Sequence, residues 1–548
     1  MDTLYIIASI VLSVVNTAII LCMSYKFLHT YQLNGYHFVR MFNWFGNTNA
    51  RYFKRLLMIC ALSLGALFVT NVVFSGYAHD VFTYLGLVFY FLLSILFIRY
   101  EGKIPKKKPL VFTRRIIRQY IVLGVLSIAG NLALFYLNFE MMKLGGVFMH
   151  LRFAIIALTP IVLPVLFVLS SLITAPLELL NNKRYTSRAR RILDERRDLI
   201  KIGITGSYAK TSVKTILATI LSKKYQVLAT PASFNTPLGV TKCVKKLKSS
   251  TEIFIAEMGA RNGGNIRELC NMVNPTYGII TGISNQHLET FGNITNIVRT
   301  KCELTDSLAK RNGKLYLNSD TKHLDMLKKY IKSEYVECGI NGGFVSATNY
   351  SLSDAGSEFD LLIDGKAYPC KTKLLGKHNI SNILVCVGLA VQLGVEIDDI
   401  VSAISELEAP SHRLELIVTG KGMKILDDTF NANSEGALAA LDILKLFDGR
   451  KVIVTPGLVE LGLEEKKTNK NFGKQIGSVC DLVFLIGKIR STPIKEGLLE
   501  SGFSEDKILV YNSLSDAKRD FKKYLSANDV VLLENDLPDD YNEVDELK

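Results

Sequence analysis

Residues 203–215, GITGSYAKTSVKT, carry the side chains whose types and spacing most clearly suggest chemistry. Lys210 and Thr211 follow a glycine as in a short phosphate-binding loop, whose backbone amides and following helix N-terminus face an anion. The lysine of such a loop reaches the terminal phosphates, and the hydroxyl of Thr211 or Ser212 can hold magnesium. Ala209 stands where glycine is expected, and alanine fits only if its φ angle is not positive. The stretch predicts a nucleotide site, with an ordinary strand–turn–helix as the alternative.

Further polar side chains occur at comparable positions along the chain. A carboxylate ends the strand-like run IFIAE, where it can face a magnesium ion, and an asparagine-rich turn follows the run KILDD. Two asparagines three residues apart share one face of a predicted helix. The candidates are Glu257, His287, Lys301, Asn379, Asn382, Arg413, Asp428, Asn431 and Asn433. Several have a plainer interpretation as a turn histidine, a surface lysine, a helix-packing asparagine or a simple turn.

The elements that would position these residues begin near residue 199. Short β-branched runs such as LIKIGIT, YGIITGI, KVIVTP and DVVLLE alternate with helical stretches, and this alternation predicts parallel, doubly wound α/β sheets. Residues 340–373 have turn signals typical of a small antiparallel insertion. A proline-bearing linker, EAPSHRLE at 408–415, separates two predicted α/β domains, 199–410 and 411–548, the second ending in an acidic tail.

The first 180 residues have a different composition, with long uncharged runs. Each run is close to the ~20 residues that a helix needs to cross the hydrocarbon core, and several together are typical of membrane spans rather than buried core helices. The predicted spans lie near residues 4–23, 56–74, 81–98, 120–139 and 153–174. We therefore expect an α-helical membrane domain of about five spans, 1–180, and a basic linker, 181–198. No basic residue precedes the first run, so a cleavable signal peptide is not expected.

Much of the formal net charge of +14 lies in segments that flank the predicted spans. Residues 24–55, 101–118 and 181–201 are rich in Lys and Arg, whereas residues 75–80 and 140–151 hold one lysine between them. Because basic loops stay cytoplasmic, the pattern predicts a multi-pass cell-membrane protein with its N-terminus outside and its α/β domains on the cytoplasmic side. Anionic head groups suit such segments, and no nucleic-acid partner is expected. The nine cysteines form no Cys-x-x-Cys motif, which argues against a zinc ribbon.

Taken in order, these residues resemble the Mur ligase family, the ATP-dependent amide ligases of cell-wall synthesis. The resemblance covers roughly residues 199–535 and is carried by the loop together with EMGA, HLETFG, DDTFNAN and PGLVELG. It looks most like the type of Mur ligase that adds D-alanyl-D-alanine. Six motifs come in the family's order at similar spacing, which one motif alone would not establish: the loop and the motifs that carry Glu257, His287, Asn379 with Asn382, Arg413 and Asp428. The resemblance implies a central ATP-binding α/β domain and a C-terminal Rossmann-like α/β domain.

The resemblance also implies a role for each candidate, with ATP and Mg²⁺ as cofactors. ATP would be bound by Gly206, Ser207, Lys210, Thr211, Ser212, His378, Asn379, Asn382, Arg413 and Asp428. Magnesium would be held by Thr211, Glu257, His287 and a carbamylated Lys301, and the catalytic set would be Lys210, Glu257, His287 and Lys301. Asn431 and Asn433 would contact substrate. In this family a carboxylate becomes an acyl phosphate, with release of ADP, before an amine attacks it.

The chain departs from the family's pattern at both ends. The membrane domain stands where the family has a small domain that grips a UDP-sugar. After the last predicted strand, a basic Lys-Gly-Ser-Arg turn is replaced by a segment containing Glu534, Asp536, Asp539 and Asp540. Acidic groups there favour a cationic amine. We therefore expect a membrane-anchored ligase that acts on a carboxylate-bearing envelope precursor, a lipid-linked glycan or muropeptide, with a separate amine donor.

Three alternatives stay open at this point. The local motifs favour the standard addition of D-alanyl-D-alanine to a UDP-linked muramoyl tripeptide, and a glutamate-polymerising ligase would use the same chemistry. A membrane sensor or transporter with a nucleotide-binding domain belongs to a different class. Five spans are few for a transporter, and no charge pairs within the spans mark an ion path. Both substrates and the oligomeric state are left open by the sequence.

Overall fold

The computed structural model describes residues 3–38, 41–42, 50–73, 79–104, 108–142, 156–430 and 433–536. The chain divides into two compact units, one within residues 1–181 and one within residues 182–537. The described part of the first unit is helical, and the second unit is built of alternating strands and helices. This division follows the change in composition along the sequence.

Five long helices dominate the first unit, and each overlaps one of the predicted apolar runs. They are α1 (Thr3–Leu33), α2 (Ala50–Val73), α3 (His79–Lys103), α4 (Arg114–Met142) and α5 (Thr159–Glu195). Within the described residues, α1, α2, α4 and α5 contain stretches long and apolar enough to cross a membrane. The predicted number of five spans therefore stays a prediction.

Aromatic rings and a small polar network hold these helices together. Phe27 and Phe167 are fully buried, and their ring centroids lie 5.6 Å apart, which joins α1 to α5. Asn16 is also fully buried; it donates to Asn131 Oδ1 (2.9 Å) and accepts from Tyr90 Oη (3.0 Å). Because a buried amide is costly without hydrogen-bond partners, this network fixes α1 against α3 and α4.

The second unit begins with a nine-stranded sheet of spatial order β2-β3-β1-β4-β5-β6-β7-β8-β9. Its strands are β1 (Ile200–Thr205), β2 (Val227–Ala229), β3 (Ile253–Glu257), β4 (Tyr277–Ile280), β5 (Lys314–Asn318), β6 (Glu334–Cys338), β7 (Val345–Ser353), β8 (Gly356–Ile363) and β9 (Lys366–Thr372). Neighbouring strands are parallel as far as the β6–β7 pair, and β7, β8 and β9 pair antiparallel. The antiparallel character predicted for 340–373 is confirmed, and these strands extend the parallel sheet.

Helices cover both faces of this sheet. They are α6 (Lys210–Leu221), α7 (Pro237–Val244), α8 (Asn265–Val273), α9 (Leu288–Phe291), α10 (Ile294–Ala309), α11 (Leu324–Lys328), α12 (Lys377–Gln392) and α13 (Ile397–Ser405). In β3, Ile253 and Ile255 join a core with α6, α12 and α13, whereas Phe254 joins a core with α7, α8 and α10. Successive side chains of a strand point to opposite faces, so the sheet is packed on both sides.

A six-stranded sheet of order β10-β11-β15-β12-β13-β14 completes the second unit. Its strands are β10 (Glu415–Val418), β11 (Lys424–Asp428), β12 (Arg450–Thr455), β13 (Leu482–Ile486), β14 (Ile508–Tyr511) and β15 (Asp529–Glu534), and its helices are α14 (Ser434–Leu444), α15 (Glu465–Gly477), α16 (Thr492–Glu500) and α17 (Leu514–Tyr524). All strands are parallel except β10, which is antiparallel to β11. The carboxyl ends of β11, β15 and β12 therefore meet at one edge, where open α/β sheets bind their ligands.

Candidate active site

The loop between β1 and α6 forms the predicted phosphate-binding turn. Gly206 has a φ of +153°, and a Cβ there would lie 2.1 Å from Thr281 Oγ1, so glycine is required. The Ser207 amide donates to Gly282 O (2.8 Å), which ties the loop to the segment after β4. The ammonium group of Lys210 donates to the carbonyl oxygens of Gly206 (2.9 Å) and Ser207 (3.1 Å). The lysine thus lies over the backbone of its own loop.

Ala209, directly before α6, lies in the left-handed region with φ 58° and ψ 3°. The condition set by the sequence for an unstrained loop, a φ that is not positive, is therefore not met. A left-handed conformation costs an alanine roughly 1–2 kcal/mol, because its Cβ approaches the following carbonyl oxygen. The loop carries this strain at the residue where glycine was expected. No described side chain caps the N-terminus of α6, which leaves its first amides available to an anion.

Glu257, the last residue of β3, is buried and fully bonded. Its Oε2 accepts from Thr211 Oγ1 (3.0 Å) and Lys214 Nζ (2.9 Å), and its Oε1 accepts from Asn235 Nδ2 (3.1 Å). Burial alone would raise the pKa of Glu257, but the ammonium groups of Lys214 and Lys210 outweigh it and hold the pKa below its usual value. Glu257 is therefore an anion at neutral pH, next to the Thr211 hydroxyl.

Arg413 comes from the linker before β10 and reaches the same loop. Its Nη2 donates to Thr211 Oγ1 (3.2 Å), and its guanidinium lies over the Phe430 ring, 4.7 Å from the centroid. A cavity of about 940 Å³ opens beside it, lined by α6, by residues 229–233 and by the linker. The structure thus brings a cation from the second sheet to the phosphate loop of the first.

His287 and Lys301 belong to the segment that follows β4. His287 Nδ1 contacts the carboxylate of Glu460, which also pairs with Arg261 (3.4 Å). Burial lowers the pKa of His287, and Glu460 opposes the shift. Lys301, in α10, is buried and makes no hydrogen bond or ion pair with a described residue. Burial and the charge of Lys210 hold the pKa of Lys301 well below its usual value, which favours the uncharged amine.

The first turns of α12 hold the three residues that the resemblance assigns to the adenine side of ATP. Asn379 Nδ2 donates to Leu375 O (2.9 Å), and Asn382 Nδ2 donates to Asn379 Oδ1 (3.4 Å), so both amides lie on one helix face as expected. Both asparagines are buried. Burial lowers the pKa of His378 to about 4, so its imidazole is neutral at physiological pH.

The remaining predicted residues lie at the edge of the second sheet. Asp428 ends β11; its Oδ1 accepts from the Leu414 amide (3.2 Å), and burial raises its pKa against the opposing effect of Arg413. Asn433 caps α14, because its Oδ1 accepts from two amides of the first turn. Its Nδ2 is left for a substrate, so the predicted contact stays a prediction. Asn431 lies outside the described residues.

Comparison with known families agrees with this geometry. Residues 204–390 match the Mur ligase middle domain, and residues 412–534 match the glutamate ligase domain of Mur ligases. The UDP-N-acetylmuramoyl-tripeptide–D-alanyl-D-alanine ligase of Haemophilus influenzae is 30% identical over 309 residues, which cover 56% of this chain and 67% of that enzyme. The chain belongs to the Mur ligase family. It is accordingly an ATP-dependent, ADP-forming amide-bond ligase.

Three further proteins show the same similarity to Mur ligases. The Bacillus subtilis enzyme of the same name is 30% identical over 334 residues, covering 60% of this chain and 72% of the relative. Among solved structures, MurF from Acinetobacter baumannii matches with a TM-score of 0.60 and 23% identity over 67% of this chain and 79% of the other. MurF from Thermotoga maritima in complex with ADP matches with a TM-score of 0.57 and 24% identity over 65% and 80%. The structural matches establish a shared fold.

The Mur ligase cofactors fit the residues present. Thr211 and Glu257 offer a hydroxyl and an anionic carboxylate at adjacent positions, which are hard oxygen ligands of the kind that Mg²⁺ prefers. An ammonium group cannot bind a metal ion. The uncharged amine favoured for Lys301 is the form that carbon dioxide can convert to a carbamate, which would be a metal ligand. The uncapped α6 N-terminus beside Lys210 suits the phosphates of ATP.

Four residues of this Mur ligase site were missed by reasoning from the sequence: Lys214, Asn235, Arg261 and Glu460. Lys214 and Glu460 stand inside quoted motifs, SVKT and VELG, so their identity was visible. Their partners were not, because Lys214 bonds Glu257 across 43 residues and Glu460 contacts His287 across 173 residues. Such pairings depend on how the strands and the two sheets pack together, which no local sequence pattern predicts.

Proposed function

We propose that this Mur ligase joins D-alanyl-D-alanine to UDP-N-acetylmuramoyl-tripeptide at the expense of ATP. The relatives that are 30% identical and carry this name support the proposal. They favour the standard reaction, an alternative drawn from the sequence, over the lipid-linked acceptor that the sequence analysis preferred. Membership of a ligase family also favours an enzyme over a sensor or transporter subunit.

The contact between Arg413 and Thr211 is the observation that carries the proposed chemistry. Amide formation through an acyl phosphate brings a substrate carboxylate next to a phosphate, and the protein must offset the two negative charges. Lys210 and Arg413 supply cations at the loop, the first from the loop itself and the second from the linker. Magnesium, held by Thr211 and Glu257, would add further neutralisation of charge. The residues therefore suit phosphoryl transfer to a carboxylate.

Closure of the two α/β domains is expected to gate the reaction. Arg413 belongs to the linker before β10, and Glu460 follows β12 in the second sheet, yet they contact Thr211 and His287 of the first. Opening the linker would remove both contacts together. A catalytic set completed only on closure also keeps water from the activated carboxylate.

The acceptor can be tested with purified full-length protein, ATP and D-alanyl-D-alanine. We expect ADP release and a ligated product, detected by mass spectrometry, with UDP-N-acetylmuramoyl-tripeptide as acceptor. The matched reaction contains the same tripeptide on a polyprenyl-linked carrier in vesicles. Turnover of only the lipid-linked form would reject the proposed acceptor and restore the membrane-borne precursor as the substrate.

We further propose that α1–α5 anchor the enzyme in the cell membrane with the α/β domains on the cytoplasmic side. The apolar stretches of α1, α2, α4 and α5 and the basic segments beside the predicted spans support this arrangement. Sodium carbonate extraction should leave the full chain in the membrane fraction. Protease added to sealed right-side-out vesicles should spare a C-terminal tag; digestion of that tag would reverse the orientation.

A further inference from the structure

The carboxyl ends of β11 and β15 place two acidic side chains side by side. Asp428 and Glu534 are the last residues of adjacent parallel strands and occupy the same register. The chain crosses β15 on its way from β11 to β12, so this is the point at which the strand order reverses. Ligands of open α/β sheets bind outside the carboxyl ends of strands at such a point.

Glu534 is a buried carboxyl group without a partner. Its side chain is fully buried, and neither carboxyl oxygen has a hydrogen-bond partner among the described residues. Burial, and then the neighbouring Asp428, raise the pKa of Glu534 well above its usual value, and no cationic side chain opposes the shift. A buried polar group left unpaired is costly, so the site calls for a partner that no described residue supplies.

The opposite end of the same strand shows what a structural carboxylate looks like in this fold. Asp529, the first residue of β15, is equally buried, but Arg450 donates to both of its oxygens (3.0 and 2.6 Å). The amide and hydroxyl of Ser526 donate to them as well (2.8 and 2.9 Å). The fold thus satisfies the carboxylate at the amino end of β15 completely and leaves Glu534 at the ligand edge unsatisfied.

The acidic pair also adjoins the nucleotide loop. Arg413 interacts electrostatically with both Asp428 and Glu257, and its guanidinium is already engaged by Thr211 and Phe430. Asp428, the neighbour of Glu534, and Glu257, at the phosphate loop, thus act on the same guanidinium. A substrate group bound at the acidic pair would approach a carboxylate activated at the loop.

We propose that Glu534, together with Asp428, binds the protonated amino group of the amine donor. A primary ammonium is compact and offers three hydrogen-bond donors, which two carboxyl groups can accept. A cation placed between them would remove the cost of burying Glu534 without a partner. The inference rests on the proposed ligase function and names the chemical class of its second substrate. It does not depend on which amine carries the charge.

The test compares wild-type full-length protein with Glu534→Gln in steady-state ADP release. The KM for D-alanyl-D-alanine should rise roughly tenfold to a hundredfold in the variant, because one charged hydrogen-bonding partner is lost, while the KM for ATP changes less than about twofold. Glu505→Gln, which neutralises an exposed glutamate of the same domain, should change neither. An unchanged KM for the dipeptide, or a rise confined to ATP, would overturn the proposal.

Two further measurements separate charge recognition from a structural effect. Competition by N-acetyl-D-alanyl-D-alanine, which lacks the positive charge, should be the same in wild type and Glu534→Gln. Glu534→Asp keeps the charge and should retain more of the dipeptide affinity than the glutamine variant. Equal losses in both variants, or a parallel loss for the acetylated dipeptide, would assign Glu534 a structural role.

Failure of the proposed function gives a different pattern. If wild type ignores D-alanyl-D-alanine but releases ADP with L-lysine or glucosamine, the dipeptide assignment is wrong, and the KM for that amine decides the role of Glu534. No amine-dependent ADP release by wild type with any of the three would overturn both proposals.

Discussion

Two buried glutamates in the second unit have opposite surroundings. Glu257, at the carboxyl end of β3, is 1% exposed and accepts hydrogen bonds from Thr211, Lys214 and Asn235. Glu534, at the carboxyl end of β15, is 0% exposed and has no partner among the described residues. Their pKa values shift in opposite directions: neighbouring ammonium groups lower that of Glu257, and burial raises that of Glu534.

The difference separates two uses of the same side chain at the same place in an α/β sheet. Glu257 is held as an anion by the protein itself, as a site that receives a metal–nucleotide complex requires. Glu534 has no cationic partner among the described residues, which suits a site that receives a cationic substrate. Glu257 and Glu534 are equally buried, so their neighbouring side chains, and not burial, account for the difference in their charge states.

Removal of the lysine on the nucleotide side should have the largest effect. We expect Lys210→Ala to lower kcat by roughly a thousandfold or more, because Arg413 alone does not offset the charge that develops at the loop. Burial lowers the pKa of Lys210 to about 8, so the group is still mostly charged at pH 7. Turnover by phosphate release, with Lys246→Ala as a surface control, measures the effect. Activity within tenfold of wild type would remove Lys210 from the catalytic set.

Neutralising Glu257 should cost both activity and stability. Glu257→Gln leaves the buried ammonium of Lys214 without its counter-charge, and breaking a buried pair in this way costs about 3–5 kcal/mol of unfolding free energy. Chemical denaturation measures the loss. The double variant Glu257→Gln with Lys214→Met removes both charges, so it should regain most of the stability and none of the activity. Additive losses in the double variant would show that the two groups are not coupled.

The ion pair of Glu257 and Lys214 also predicts that the folded protein loses stability in acid. The folded-state pKa of Glu257 lies below its unfolded value of about 4.3. Its stabilising contribution is therefore complete above that value and is lost as the pH falls through the folded-state pKa. Thermal midpoints of wild type should drop more steeply below pH 4.5 than those of the double variant.

Sequence patterns were sufficient for the elements and for part of the site. The strands quoted from β-branched runs are all present, including β1, β4, β12 and β15, because buried parallel strands are short and apolar on both faces. The loop, Glu257 and Arg413 were predicted as neighbours and do meet. The loop and Glu257 lie at strand ends, whereas the position of Arg413 in the linker was implied by the family resemblance.

The side-chain contacts between the two sheets could not be predicted from the sequence. The Glu460–His287 contact and the absence of a partner for Glu534 depend on how two sheets and their linker fit together. The substitution of Glu534 for a basic residue was visible in the sequence, but its burial was not. The helix-capping role of Asn433 was also not predicted, and its predicted contact with substrate stays a prediction.

The stability contributed by Glu534 should change with pH in the opposite sense from that contributed by Glu257. Glu534 keeps its proton in the folded state at pH values where the unfolded chain has lost it, so stability falls as the pH rises above about 4.3 toward the raised folded-state pKa. Glu534→Gln carries no titratable group and should lose this slope. The thermal midpoints of wild type and Glu534→Gln should be similar near pH 5, and that of wild type should be the lower of the two at pH 8. Parallel curves would mean that Glu534 is charged and paired.

An ammonium ligand should sharpen that contrast. If D-alanyl-D-alanine supplies the missing cation, saturating dipeptide should flatten the pH dependence of wild type between pH 5 and 8 more than that of Glu534→Gln, in which only Asp428 remains to respond. N-acetyl-D-alanyl-D-alanine is the uncharged control and should flatten neither curve. Flattening of both curves by both ligands would trace the effect to general binding rather than to charge.

The smallest expected effect returns to the loop that holds Lys210. Ala209→Gly should relieve the left-handed backbone strain at φ 58°. The added chain entropy of glycine in the unfolded state offsets part of the gain. The net result should be about 0.5–1 kcal/mol of stability, or roughly 1–3 °C in the thermal midpoint. The KM for ATP should change less than about threefold, since the α6 amides and Lys210 keep their positions. A large fall in kcat would show that the backbone strain at Ala209 is used in the reaction. In that case, relief of the strain would have let the loop leave the geometry that places Lys210 over Gly206 and Ser207.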